Sequence, residues 1–207
     1  MTIASIMRMG PVIPVVIIED IDHAIPLADA LTEGGINVIE VTLRSTVALD
    51  CIAAISKQRP EMTLGAGTIL TPGQMKAAKD AGADFAVSPG AYPALVKPAT
   101  ESNLPLLPGA ATASEMMALM ADGITAMKFF PASVAGGVAY LQALASPLTD
   151  AVFCPTGGIS PQTAPDWLAL PNVVCVGGSW VAPKDLLAAG DFAAITGRAR
   201  ACADLAG

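Results

Sequence analysis

The stretch IPVVIIEDIDHAIPLADALTEGGINVIEVTLR, residues 13–44, holds a β-branched run, an alanine- and leucine-rich run closed by two glycines, and a second β-branched run. Patterning of period two, then 3.6, then two predicts a strand over 13–18, a helix through DHAIPLADALTEGG and a strand over 37–42. Glycine stops such a helix because it accepts left-handed backbone. The same cycle repeats along the chain, with further strands predicted over 63–66, 84–88, 104–107, 125–130, 151–155 and 173–176. Between them TPGQMKAAKDAGA, SEMMALMADG and GGVAYLQALA read as helices. Eight strand–helix cycles point to an α/β fold, a TIM (β/α)8 barrel forming a single domain over 1–207. An open doubly wound sheet is the competing arrangement, but it carries a glycine-rich fingerprint after its first strand, and IIEDID offers none. Pro14 cannot donate to a ladder, so the first strand is expected to begin at Val15.

Strand side chains alternate, and this sorts the polar residues. In AMKFF, Ala126, Lys128 and Phe130 share one face; Met127 and Phe129 share the other, which suits the helix layer. Lys128 and Phe130 then point to the barrel axis near the C-terminal end, where barrel enzymes keep their chemistry. In VIEVTLR the same parity sends Glu40, Thr42 and Arg44 inward. An unpaired buried ammonium is costly, and Glu40 is the partner the pattern offers Lys128. Two readings stay open. The pair can simply satisfy itself, or the burial can serve chemistry, because a lysine removed from water gives up its proton more readily and a neutral amine attacks ketones. The chain's other five lysines fall in helical or loop segments.

Two glycine pairs supply a second clue. PTGGIS (155–160) follows the seventh predicted strand and VGGSW (176–180) the eighth, and the loops after these strands frequently form the phosphate site of a TIM barrel. Thr68, in the GAGT turn after the third strand, adds a hydroxyl at the same end or caps the next helix. The chain has one histidine, His23, placed near the start of a helix in a surface or capping role, too few imidazoles for a zinc site. No metal is expected, and neither a P-loop, a G-x-S-x-G elbow nor a dinucleotide fingerprint occurs.

Composition narrows the partners. A net charge of −7 argues against nucleic acid or an anionic membrane as partner, since both are found through basic patches. No apolar run reaches the ~18 residues of a bilayer span, and Pro11 and Pro14 interrupt the only leader-like stretch. The four cysteines lack paired or metal-type spacing and read as reduced core thiols, so a cytoplasmic protein is expected.

The segments GGINVIEVTLRS, LGAGTIL, FAVSPG, LPGAATASE, MKFFPA, FCPTGGIS and CVGGSW resemble, in order and spacing, those of the 2-keto-3-deoxy-6-phosphogluconate (KDPG) aldolase family, which includes 4-hydroxy-2-oxoglutarate aldolase activity. The resemblance spans almost the whole chain. It implies a class I aldolase without metal or organic cofactor, acting on a phosphorylated 2-keto acid, releasing pyruvate, and assembling as a homotrimer. It matches Lys128 to the Schiff-base lysine, Glu40 to the proton-transferring carboxylate, and Arg44 with Thr68 to the holders of the pyruvyl carboxylate. Phe130 matches an aromatic beside the pyruvyl group, and Gly157, Gly158, Gly178 and Ser179 the phosphate-side loops. Ser133 departs from the glutamate that many members carry. Two other functions are compatible with the same features: a phosphate-binding barrel isomerase using Glu40 as base, and a non-catalytic sugar-phosphate-binding barrel.

Overall fold

The computed structural model describes residues 1–101 and 104–206. Its strands are β1 (Val12–Val16), β2 (Val38–Thr42), β3 (Thr63–Gly67), β4 (Phe85–Val87), β5 (Leu106–Leu107), β6 (Gly109–Ala110), β7 (Ala126–Phe129), β8 (Val152–Pro155) and β9 (Val176–Gly178). The helices are α1 (Ile3–Met7), α2 (Ala24–Glu33), α3 (Ala48–Gln58), α4 (Pro72–Asp80), α5 (Pro93–Glu101), α6 (Ala113–Ala121), α7 (Gly137–Leu144), α8 (Ala164–Leu168), α9 (Lys184–Ala189) and α10 (Phe192–Ala203). Two parallel sheets result, one in the order β5-β4-β3-β2-β1-β9 and one in the order β6-β7-β8. They meet at two seams. β5 and β6 are consecutive and separated only by Pro108, whose missing N–H breaks the ladder there while its carbonyl still accepts from the Lys128 amide at 2.8 Å. On the other side, the bridges Phe153↔Val173 and Thr156↔Gly177 link β8 to the approach of β9 and to β9 itself.

Three strand expectations need correction. β1 begins at Val12 and contains Pro14: Val12 to Pro14 pair with β9, and Val15 and Val16 pair with β2, so the proline sits where the strand exchanges neighbours. The fifth strand, expected over 104–107, is confined to Leu106–Leu107, and the chain returns to a ladder beyond Pro108 at Gly109–Ala110. The eighth lies at Val176–Gly178 rather than 173–176, because the ladder to β1 runs through the glycines. Packing decides this. A Cβ on Gly177 would lie 2.2 Å from Thr156 Oγ1, and one on Gly178 2.7 Å from the Trp180 ring, so the pair is selected for close approach and not for a turn.

The helix stops follow the sequence reading closely. At α2 the C-cap is Gly34 and the next residue, Gly35, adopts φ +88°; the amide of Ile36 donates to Leu31 O and that of Gly35 to Thr32 O, both at 2.9 Å. This paired closure satisfies carbonyls the helix leaves open, and it recurs after α4 at Gly82 and after α6 at Gly123. The buried apolar side chains form one cluster. In it Phe129 stacks on Tyr140 of α7 at 5.8 Å and approaches Trp167 of α8 at 6.2 Å, so Phe129 faces the helix layer, and strand alternation puts Met127 on the same face.

Candidate active site

Strand register brings the polar residues of the inner face to one place. Val15 is level with Glu40, Glu40 with Gly65, and Gly109 with Lys128, which is level in turn with Cys154. Lys128 and Glu40 are 5% and 4% exposed, and Lys128 Nζ donates to Glu40 Oε1 at 3.2 Å and Oε2 at 3.5 Å. Fragments 88 residues apart thus meet as a buried ion pair. Such a pair contributes little stability for its desolvation.

Phe130 lies just beyond β7, with Lys128 Nζ 5.4 Å from its ring centroid. The Cε2 edge of that ring is against Gly157, where a Cβ would be 3.3 Å away. Phe130 therefore spans from the amine to the first glycine pair. Gly157 and Gly158 have φ of +103° and +75°, conformations that turn the backbone and leave its N–H groups unshielded. Ser133, the position that departs from the family pattern, braces this loop: its amide donates to Gly157 O at 3.1 Å and its hydroxyl to Gly158 O at 2.9 Å.

Arg44 lies outside β2, in the exposed turn after Thr42, and its Nε donates to Thr68 Oγ1 at 3.0 Å. Thr68 has φ +61°, the one non-glycine residue at positive φ among those described, and this removes its helix-capping alternative: Thr71 caps α4 instead, accepting from the Gln74 amide. Gly178 falls inside β9 and Ser179 is exposed one residue beyond it. His23 makes no side-chain cap and sits edge-on to Phe192 at 5.7 Å. Thr156, which the sequence reading left out, is 7% exposed on the same face as Cys154 and bridges toward β9. Its parity with Lys128 across the β7–β8 register was the available signal.

The four cysteines are buried and unpaired. A hydrogen bond with Cys154, then burial, pushes the Cys175 thiol well up, and burial lifts Cys51 to about 11, so neither offers a thiolate to compete with a lysine nucleophile. Among the described residues no three His, Cys, Asp or Glu side chains gather as a metal site, and no helix is long and apolar enough to cross a membrane.

A parallel α/β fold with a buried lysine–carboxylate pair near the strand ends, flanked by an arginine–threonine pair and a left-handed glycine loop, has the equipment of an enzyme for small carbonyl acids. Comparison with known proteins agrees. Residues 3–198 match the family model "KDPG and KHG aldolase". The KHG/KDPG aldolase of Escherichia coli strain K12 is 52% identical over 95% of this chain and 92% of its own. The structure of KDPG aldolase from Legionella pneumophila with pyruvate captured at low pH as a covalent carbinolamine intermediate superposes with a TM-score of 0.95, at 42% identity over 96% of this chain and 97% of that one. The KDPG aldolase of Zymomonas mobilis ZM4, solved with 3-phosphoglycerate, gives 0.92 at 45% identity over 98% and 95%. The chain belongs to the KDPG and KHG aldolase family and is an aldehyde-lyase.

Proposed function

We propose that this protein is a class I aldolase that cleaves KDPG to pyruvate and glyceraldehyde 3-phosphate, and 4-hydroxy-2-oxoglutarate to pyruvate and glyoxylate. The observation that carries the reading is the buried Lys128–Glu40 pair, 3.2 Å apart on the inner face. In the reaction, Lys128 passes a proton to Glu40, and the freed amine attacks C2 of the keto acid. Glu40 delivers a proton to the departing hydroxyl of the carbinolamine, water leaves, and an iminium forms. As carboxylate, Glu40 takes the C4 hydroxyl proton while the C3–C4 bond breaks, its electron pair passing into the iminium. The aldehyde departs. Protonation of the resulting enamine at C3 and addition of water release pyruvate and restore the amine.

Arg44 and Thr68 hold the pyruvyl carboxylate in this scheme, the guanidinium offering a planar donor pair, and Phe130 packs on the pyruvyl group. Gly157, Gly158, Gly178 and Ser179 receive the phosphate; Gly178 contributes by placing Ser179, since it lies within β9 itself. We further infer one closed eight-stranded barrel and one domain. In support, β5 and β6 form a single strand interrupted at Pro108, and bridges connect β8 to β9. Family resemblance carries a cytoplasmic homotrimer, which light scattering on the purified protein checks. The decisive experiment is borohydride reduction in the presence of pyruvate followed by peptide mass spectrometry: the adduct is expected on Lys128. An isomerase or a sugar-phosphate binder would give none, and an adduct on another lysine would overturn the assignment.

A further inference from the structure

We propose that Gly67 is a positioning residue for Glu40: the volume its absent side chain leaves open is the volume in which the carboxylate is held against Lys128. Gly67 ends β3, level with Thr42 of β2 and on the same inner face as Gly65. No positive φ occurs there, so the backbone accepts any residue and the selection of glycine must come from space. A Cβ built on Gly67 would lie 2.2 Å from Glu40 Oε1, 2.7 Å from its Cγ and 2.8 Å from its Cδ. These atoms cannot yield cheaply. Glu40 is 4% exposed, and its carboxylate is already committed to Lys128. The neighbouring Gly65 serves a different purpose: the nearest atoms a Cβ there would meet are those of the Phe85 ring, at 2.3 to 2.7 Å. One inner-face glycine thus makes room for the core, and the other for the proton carrier.

The consequence is a separation of steps, resting on the role of Glu40 proposed above. Gly67→Ala displaces the carboxylate by the order of 1 Å, a misplacement that costs about 10²-fold, while Lys128 remains able to condense with pyruvate. The variant is expected to lose about 10²-fold in kcat and a similar factor in solvent deuterium exchange into the pyruvate methyl group, with borohydride trapping on Lys128 retained. The same substitution is then made in Glu40→Ala, where the clashing atoms are gone. Gly67→Ala is expected to change residual turnover there by less than about threefold and to leave the melting temperature at or above that of Glu40→Ala, including the case where the single variant does not fold. Equal losses of activity or stability in both backgrounds would overturn the proposal, as would wild-type turnover in Gly67→Ala. Failure of the underlying reading looks different: Glu40→Gln would then turn over like wild type.

Discussion

Glu40 is the residue whose chemistry can be isolated most cleanly. Glu40→Gln keeps the shape and removes the proton acceptor, and kcat is expected to fall ~10²–10⁴-fold, the usual scale for general acid–base groups. Steady-state cleavage of KDPG measures it; a rate near wild type would return the Lys128–Glu40 contact to a purely structural role. Thr68 offers a different contrast. A β-branched residue at φ +61° is strained by about 1–2 kcal/mol, and Thr68→Gly relieves that strain while removing the hydroxyl that Arg44 contacts. The melting temperature is expected to hold or rise while kcat/KM falls about 10-fold, the size of one lost hydrogen bond. A parallel loss of both would show that the strain is not stored there. At this scale the sequence was most informative about Lys128 and Glu40, because strand parity converts spacing into facing. It was least informative about Thr68 and Gly67, because left-handed backbone at a threonine and free volume at a glycine exist only once neighbouring strands are in place.

Among elements, α6 shows how helix ends meet the site face. Thr112 accepts from the Glu115 amide, and Glu115 Oε2 accepts from the amides of Ala111 at 2.7 Å and Thr112 at 2.9 Å, in the loop directly after β6. The Ala111 amide, then that of Thr112, holds the Glu115 carboxyl below its ordinary value of 4.5 against the opposing effect of burial. A depressed carboxyl stabilises the fold above its unfolded pKa, and that contribution disappears as pH falls through the lower folded value. Glu115→Ala is therefore expected to cost about 0.5–1 kcal/mol at pH 7 and much less at pH 3, while Glu115→Gln, which can still accept, flattens the difference. Urea unfolding of the three proteins at both pH values checks this. Element types and helix stops were legible in the sequence because periodicity and glycine position report them directly. Strand limits were not: Pro14 and the Gly177–Gly178 pair read as interruptions, yet both lie inside ladders, since the decisive contacts, of Pro14 with β9 and of Gly177 with Thr156, are distant in sequence.

For the whole molecule, the chemistry and the fold make separate demands. The iminium supplies the electron sink that a Lewis acid would otherwise provide, so EDTA is expected to leave KDPG cleavage unchanged; inhibition reversed by added zinc would contradict the class I scheme. Closure depends on the two ends of the chain. β9 pairs with β1, and α10 seats on α2 so tightly that a Cβ on Gly34 would lie 2.4 Å from the Ala199 side chain. The first strand and the first long helix therefore wait for the last ones. On the ribosome, α2 is synthesised more than 150 residues before α10, as its position at residues 24–33 against 192–203 dictates. Early βα units can pair with one another as they emerge, but β1 and α2 stay half-covered until β9 and α10 follow. Final assembly of this enzyme thus waits for α10, and a nascent chain arrested before Phe192 presents the bare face of α2 to chaperones.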